Sequence, residues 1–200
     1  WTAEDRAAQL PHALRLPDPS TESGVEFIDG GDRLVTASGA VVLHEWLNGA
    51  YRPRPLEQGE HSIAVAVARD ARRIAAGSLV GDLRMWDART GQLIDAWTIA
   101  ELNGGTAFGV FTIGLTPDAS LLVAGPQLNA TTELVWLNPL SGRVLPIPAP
   151  SLRRHCRLEF SPDGRHIAQL TRSTVHYHRT DRPDTELIPH IDGGSASFSA

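Results

Sequence analysis

A turn signal returns along this chain at nearly constant spacing. Gly30-Gly31, Asp70-Ala71, Asp118-Ala119 and Asp163-Gly164 follow one another at 40, 48 and 45 residues. Each lies between two short apolar runs, and a third run after it ends in or near an aromatic ring. Self-similarity with a period of about 40–45 residues means that one supersecondary unit is repeated. A unit that short buries its apolar face only by stacking on its neighbours, so the repeat constrains architecture far more tightly than it constrains a partner.

Within each unit the apolar residues alternate or run in short blocks bounded by turn formers, which is strand chemistry. In the second unit Ile63, Val65 and Val67 alternate before the turn. Ile74 to Gly77 follows, then Leu83, Met85 and Trp86, and a Thr90-Gly91 turn leads into Gln92 to Trp97. The third unit gives Val110 to Leu115, Leu121 to Ala124, Glu133 to Leu137 and Arg143 to Ile147. The fourth gives Cys156 to Phe160, His166 to Leu170, Thr174 to His178 and Thr185 to Ile188. The first gives Gly24 to Phe27, Arg33 to Ala37, Val41 to Glu45 and Tyr51 to Pro55, with Asn48-Gly49 as a hairpin turn. Four strands per unit predict an all-β chain with units at 20–60, 61–105, 106–152 and 153–192. The joins Leu56 to Glu60, Ala100 to Gly105, Pro148 to Arg154 and Pro189 to Gly194 are rich in Pro, Gly and charge. No stretch sustains the 3.6-residue period of an amphipathic helix, and Ala3 to Leu16, split by Pro11, is read as non-helical.

Charge and cysteine content narrow the function classes. A net charge of −5 and a pI near 5.9 lack the basic face that nucleic acid requires. All 18 basic residues are Arg, a codon-usage sign of a GC-rich, bacterial genome. Cys156 is the single cysteine, so an intrachain disulfide framework is excluded and a reducing cytoplasm fits. No apolar run approaches the roughly 18 residues that cross a bilayer as a helix.

The stretches Phe160-Ser161-Pro162-Asp163-Gly164-Arg165 and Leu83-Arg84-Met85-Trp86-Asp87 through Thr90-Gly91 resemble the Trp-Asp repeat family of β-propellers. That resemblance implies a partial propeller of about four four-stranded blades, used as a rigid protein-binding platform. It implies turn roles for Asp70, Asp118, Asp163 and Gly164, a structural place for Asp87 in the Trp-Asp dipeptide, and a third-strand ring at Trp86 and Trp136, at Trp46 or His44 in the first unit, and at His178 in the fourth. The family's hydrogen-bond network calls for a His, a Ser or Thr and an Asp, where the second unit has His61, Ala76 and Val80, so its repeats are degenerate. Trp1-Thr2-Ala3-Glu4-Asp5 aligns with Trp86-Asp87-Ala88-Arg89-Thr90. Residues 1–19 are therefore expected to be the outer strand of a preceding blade and 193–200 the start of a following one, as in an excerpt of a longer protein.

No constellation of residues points to catalysis or to a cofactor. A Gly-Xaa-Ser-Xaa-Gly elbow, a phosphate loop and a Cys-Xaa-Xaa-Cys pair are all lacking, and the acidic residues fall in turns where Asp is expected locally. His176 and His178 share a strand face without a third ligand nominated by spacing, so the expectation is no metal. Asn129-Ala130-Thr131 fits the glycosylation pattern only formally. Arg153, Arg154 and His155 precede the fourth unit's first strand and Arg172 lies in that unit's second turn. In the resembled family those loops share a face, which makes them the expected contact for an acidic protein partner, with Arg33 at an opposite-face turn. The reading is a non-catalytic interaction scaffold. The alternatives are a sensor or gating propeller of a larger enzyme and a periplasmic propeller that binds a metal or small ligand; flanking sequence would separate them.

Overall fold

The computed structural model describes residues 24–28, 31–48, 50–56, 61–68, 70, 72–126, 134–145, 157–170, 174–181 and 186–192. The first unit folds into strands β1 (Gly24–Ile28), β2 (Arg33–Ala37), β3 (Val41–Leu47) and β4 (Ala50–Pro55). The second contains β5 (Ser62–Val67), β6 (Arg73–Ser78), β7 (Asp82–Asp87) and β8 (Leu93–Thr98), followed by one helical turn, α1 (Ile99–Leu102). The third contains β9 (Val110–Leu115), β10 (Leu122–Pro126), β11 (Val135–Asn138) and the two-residue β12 (Arg143–Val144). The fourth contains β13 (Arg157–Phe160), β14 (His166–Leu170), β15 (Thr174–Arg179) and β16 (Glu186–Asp192).

Each unit is a separate four-stranded sheet in sequential order, and every pairing is antiparallel. First strands lie against first strands: β1 packs on β5, β5 on β9 and β9 on β13. Sheets that meet face to face through their first strands, one after another, are the blades of a β-propeller, and these form four of them. The fourth strands are the outer edges. β4 and β8 are largely exposed, and Pro53 and Pro55 in β4 remove N–H groups that an edge would otherwise offer.

The core is divided among the seams between blades. Ile28, Val35, Leu43 and Leu56 of the first blade meet Val65, Ile74, Ala76 and Trp86 of the second. Ala64, Ala66, Ala75 and Leu83 on the second blade's other face meet Ile113, Leu115, Leu122, Val135 and Leu137 of the third. Leu121, Val123, Leu134 and Trp136 meet Leu158, Phe160 and Ile167 of the fourth. A middle blade is buried on both faces, so its strands read as apolar blocks rather than clean alternation, and small residues such as Ala75 and Ala76 let the sheets approach. Ile74, Leu83, Leu121, Trp136, Phe160 and Ile167 are buried, whereas Val67, in the same alternating run as Ile63 and Val65, is only partly so.

The third-strand ring position departs from expectation in the third blade. Residues facing each other across the strands form the rows Val67–Ile74–Trp86 in the second blade and Phe160–Ile167–His178 in the fourth. The matching row of the third blade is Leu115–Leu122–Leu137. Trp136 is thus one residue out of step with Trp86, and a one-residue offset reverses the face. Trp86 fills the seam with the preceding blade, and Trp136 the seam with the following one. In the first blade the row is Phe27–Leu34–His44, so His44 holds the ring position. Trp46 lies two residues on, edge-to-face with Tyr51 at 4.9 Å and 71°.

Candidate interaction face

Antiparallel sheets in sequential order sort their connections to two ends. The first- and third-strand turns collect at one end, and the second-strand turns with the blade-to-blade joins collect at the other. The turn end is where the recurrent aspartates lie, and their carboxylates are committed to it. Asp163 Oδ1 accepts from the Ser161 hydroxyl at 2.6 Å and from the Arg165 N–H at 3.0 Å. The Ser161 Oγ in turn accepts the His166 N–H. Thr116 repeats this scheme, donating to Asp118 and accepting from the Leu121 N–H, while Ser120 donates to Asp118 from both backbone and hydroxyl. In the second blade Ala68 stands where Thr116 and Ser161 stand, so the hydroxyl of that scheme is missing, and Asp70 accepts from the Arg72 N–H at 2.9 Å with the Arg72 guanidinium 4.0 Å away. Gly164 has φ 69°, in the left-handed region that the tight turn requires.

At Asp163 and Asp118 these bonds favour the ionised carboxylate. The Ser161 hydroxyl, then the Arg165 N–H, keep Asp163 below the ordinary carboxylate range. At Asp118 burial pushes upward, and the Ser120 and Thr116 donors together outweigh it. Asp87 is lowered first by the Thr90 N–H, against an upward push from burial; the Thr90 hydroxyl, the Arg89 N–H and the Arg73 guanidinium at 3.5 Å add to the lowering. Carboxylates so engaged hold their turns together.

The other end carries a different chemistry. In the second blade the β6–β7 turn exposes Leu79 and Val80, at 43% and 65%. Asp82 N–H donates to the Ser78 hydroxyl at 2.9 Å, and Ile99 N–H donates to the Gly81 carbonyl at 2.8 Å. That second bond pins the start of α1 to the exposed turn. α1 opens with a capping box: Thr98 Oγ1 accepts the Glu101 N–H and Glu101 Oε2 accepts the Thr98 N–H. Between these elements lies a groove of about 270 Å³ lined by Asp82, Arg84, Ala96, Trp97, Thr98 and Glu101. Arg84 Nη2 donates to Asp82 Oδ2 at 3.1 Å. The sequence reading took 100–105 as a plain join and missed this groove, although Thr98-Ile99-Ala100-Glu101 spells the capping box.

Arg153, Arg154, His155 and Arg172, the expected basic contact, lie outside the described residues, as do the expected strays at 1–19 and 193–200 and the stretch Ala3 to Leu16. Arg33, expected to stand apart from that contact, donates from Nη1 to the Ala88 carbonyl and so ties the first blade to the second. His176 and His178 stack at 6.4 Å on the face turned to the third blade. Among the described residues no group of three or more His, Cys, Asp or Glu side chains could hold a metal, and no helix is long and apolar enough to cross a membrane. His61, at the place of the resembled family's network histidine, is exposed and has φ 58°.

No family model matches the chain, and no curated protein matches it in sequence. In fold it is similar to Kuenenia stuttgartiensis hydrazine synthase, with a TM-score of 0.63 and 11% identity over 86% of this chain. The chain spans 49% of that protein's length. Altogether 1300 chains of known structure match. An architecture so widely shared identifies a scaffold and selects no activity.

Proposed function

We propose that the chain is a rigid segment of a propeller of the Trp-Asp repeat type that binds a protein partner and carries no chemistry of its own. The observation behind this reading is the pair Leu79 and Val80, large apolar side chains held outward on a turn that is hydrogen-bonded into the blade. Exposed apolar residues on a well-supported loop are the usual anchors of a contact, because their burial gains free energy without ordering the loop anew. A photo-crosslinking residue at Val80 should capture one partner in the producing cell, and the purified pair should then bind in vitro. Leu79→Ser with Val80→Ser should weaken that binding at least tenfold. The same crosslinker at Arg89, on the turn end, should capture nothing specific. Capture at both positions alike, or at neither, refutes the reading.

The second part of the proposal is that Arg153, Arg154 and Arg172, with His155 beside them, add a basic contact to an acidic patch of the partner. Replacing Arg153 and Arg154 with Ala should then weaken binding and flatten its salt dependence. Arg165→Ala, on the turn end, is the control; Arg33→Ala is unsuitable because it cuts the bond to Ala88. Equal loss from both changes, or none, removes the basic contact from the proposal.

A further inference from the structure

We propose that β8, the outer strand of the second blade, takes up an extended basic segment of a partner protein as a fifth strand. The inference goes beyond the platform reading, because it uses the rim of the blade and neither Leu79 nor Val80 takes part. An outer strand offers its outward N–H and C=O groups to any extended chain that reaches it. Among the described residues, three of the four outer strands carry a block. β4 has Pro53 and Pro55, β12 is two residues long, and β16 has Pro189. β8 has six residues and no proline, with Ile94, Asp95 and Ala96 exposed. The register shift opposite Met85 and Trp86 falls near its start and leaves Asp95 to Thr98 regularly paired.

That register fixes which groups point outward. Ile99 N–H donates to the Gly81 carbonyl, so alternate pairs of β7 and β8 are hydrogen-bonded, and the pairs Asp82–Thr98 and Arg84–Ala96 are the ones that are not. The N–H and C=O groups of Ala96 and Thr98 therefore face away from the sheet. Both outward N–H groups are held by nearby carboxylates: Ala96 N–H donates to Asp95 Oδ1 at 2.9 Å, and Thr98 N–H to Glu101 Oε2 at 3.2 Å. A carbonyl of an incoming strand would replace Asp95 on the Ala96 N–H without loss of a hydrogen bond, and would release a carboxylate beside the new strand. Arg84 is already engaged by Asp82 at 3.1 Å. The released charge is then best met by lysine or arginine on the partner, since opposite charges on neighbouring strands are the favourable cross-strand pair.

The first blade shows how this edge is closed without harm to the fold. The row Val25–Thr36–Val42–Pro55 corresponds to the row Val65–Ala76–Arg84–Ala96. Ala96→Pro thus carries the block of the first blade to the same place in the second, and removes an N–H that the ladder does not use.

The test uses the whole chain, isotope-labelled, and follows the backbone amide signals of Asp95, Trp97 and Thr98 by NMR during titration with acetyl-Lys-Val-Lys-Val-Lys-amide. The signals should shift saturably. The same peptide with its backbone amides N-methylated keeps the charge but cannot donate, and should leave them in place. Acetyl-Glu-Val-Glu-Val-Glu-amide should bind about tenfold more weakly than the lysine peptide, or not at all. Ala96→Pro should weaken the lysine peptide by about tenfold or more, because main-chain bonds supply the affinity of an added strand. Asp95→Asn keeps an oxygen that can accept the Ala96 N–H, yet should cost about two- to fivefold, the worth of one exposed ion pair. Asp181→Asn makes the same charge change on the fourth blade and should leave the affinity unaltered. Unshifted signals, an equal response to the N-methylated or the glutamate peptide, equal losses from Asp95→Asn and Asp181→Asn, or an Ala96→Pro variant that binds like the parent would each overturn the proposal. Should Ala96→Pro fail to fold, the N-methylated peptide still decides. Crosslinking at Val80 reads a different surface, so a captured partner with a silent β8 removes this inference alone.

Discussion

One hydroxyl closes the turn of the third blade: Thr116 Oγ1 donates to Asp118 and accepts the buried Leu121 N–H. Thr116→Val keeps the shape and deletes both bonds, leaving a buried donor unsatisfied at a cost of about 1–3 kcal/mol, whereas Thr116→Ser should retain most of the stability in urea denaturation. These turns were legible in the sequence because Thr116-Pro117-Asp118 and Ser161-Pro162-Asp163 concentrate acceptor and donor within three residues. His44 carries a different consequence. Burial lowers its pKa from 6.5, and its Nε2 lies 3.1 Å from the Thr36 hydroxyl. A histidine with a folded pKa below its unfolded value contributes stability that is complete above about pH 6.5 and is lost as pH falls through the lower folded value. The unfolding free energy should therefore decline between pH 7.5 and 5.5, with a smaller decline in His44→Gln. An identical pH dependence in the two proteins would show that His44 titrates alike in both states. Its role as the first blade's ring was only half legible, because His44 and Trp46 share strand parity and only the pairing of Leu34 with His44 decides between them.

Strand pairing also explains why Trp136 was misplaced. Tryptophans at the ends of two apolar runs look equivalent in sequence, but the β10–β11 connection is longer than its counterpart in the second blade, and the register across it puts Leu137 in the row of Trp86. No local signal reports a register that is fixed by pairing across a longer connection. The strands themselves were legible from their apolar blocks; α1 was not, because its single turn is too short to show a period and its capping box was read as part of a join. Close approach between blades adds a demand that composition hides. A Cβ on Gly77 of β6 would fall 2.2 Å from Val110 Cγ1 of β9, and one on Gly114 would fall 3.0 Å from the Phe160 ring. Gly77→Ala should thus cost about 1–3 kcal/mol through overpacking. Val110→Ala opens space in the same seam, so the double variant should lose less than the sum of the single losses. Additive losses in chemical denaturation would mean that the second seam relaxes without contact between these two positions.

Because every core cluster straddles two blades, no blade owns the apolar surface that would hold it together alone, and the segment should behave as a chain of coupled units. Trp86 belongs to the second blade yet packs against Val35 and Leu43 of the first. Trp86→Ala should cost about 3–5 kcal/mol, and hydrogen exchange should show protection falling in β2 and β3 together with β6 and β7, while β14 and β15 change less. Uniform loss across all four blades would instead indicate one cooperative unit. The outer face of the first blade sets the final expectation. Along β1 the alternation turns Ile28 into the seam with the second blade and leaves Val25 and Phe27 on the opposite face, 48% and 66% exposed. Two large apolar side chains side by side on a strand that neighbours would ordinarily cover invite association. Sedimentation velocity of these 200 residues should therefore show weight-average mass rising with concentration, and Phe27→Ser should move that rise to higher concentration. The strand's backbone pairing with β2 is untouched by that change, so its unfolding midpoint should stay close to the parent's. A parent protein that remains monomeric at high concentration, or a Phe27→Ser variant that associates equally, would show that this face is not the adhesive one.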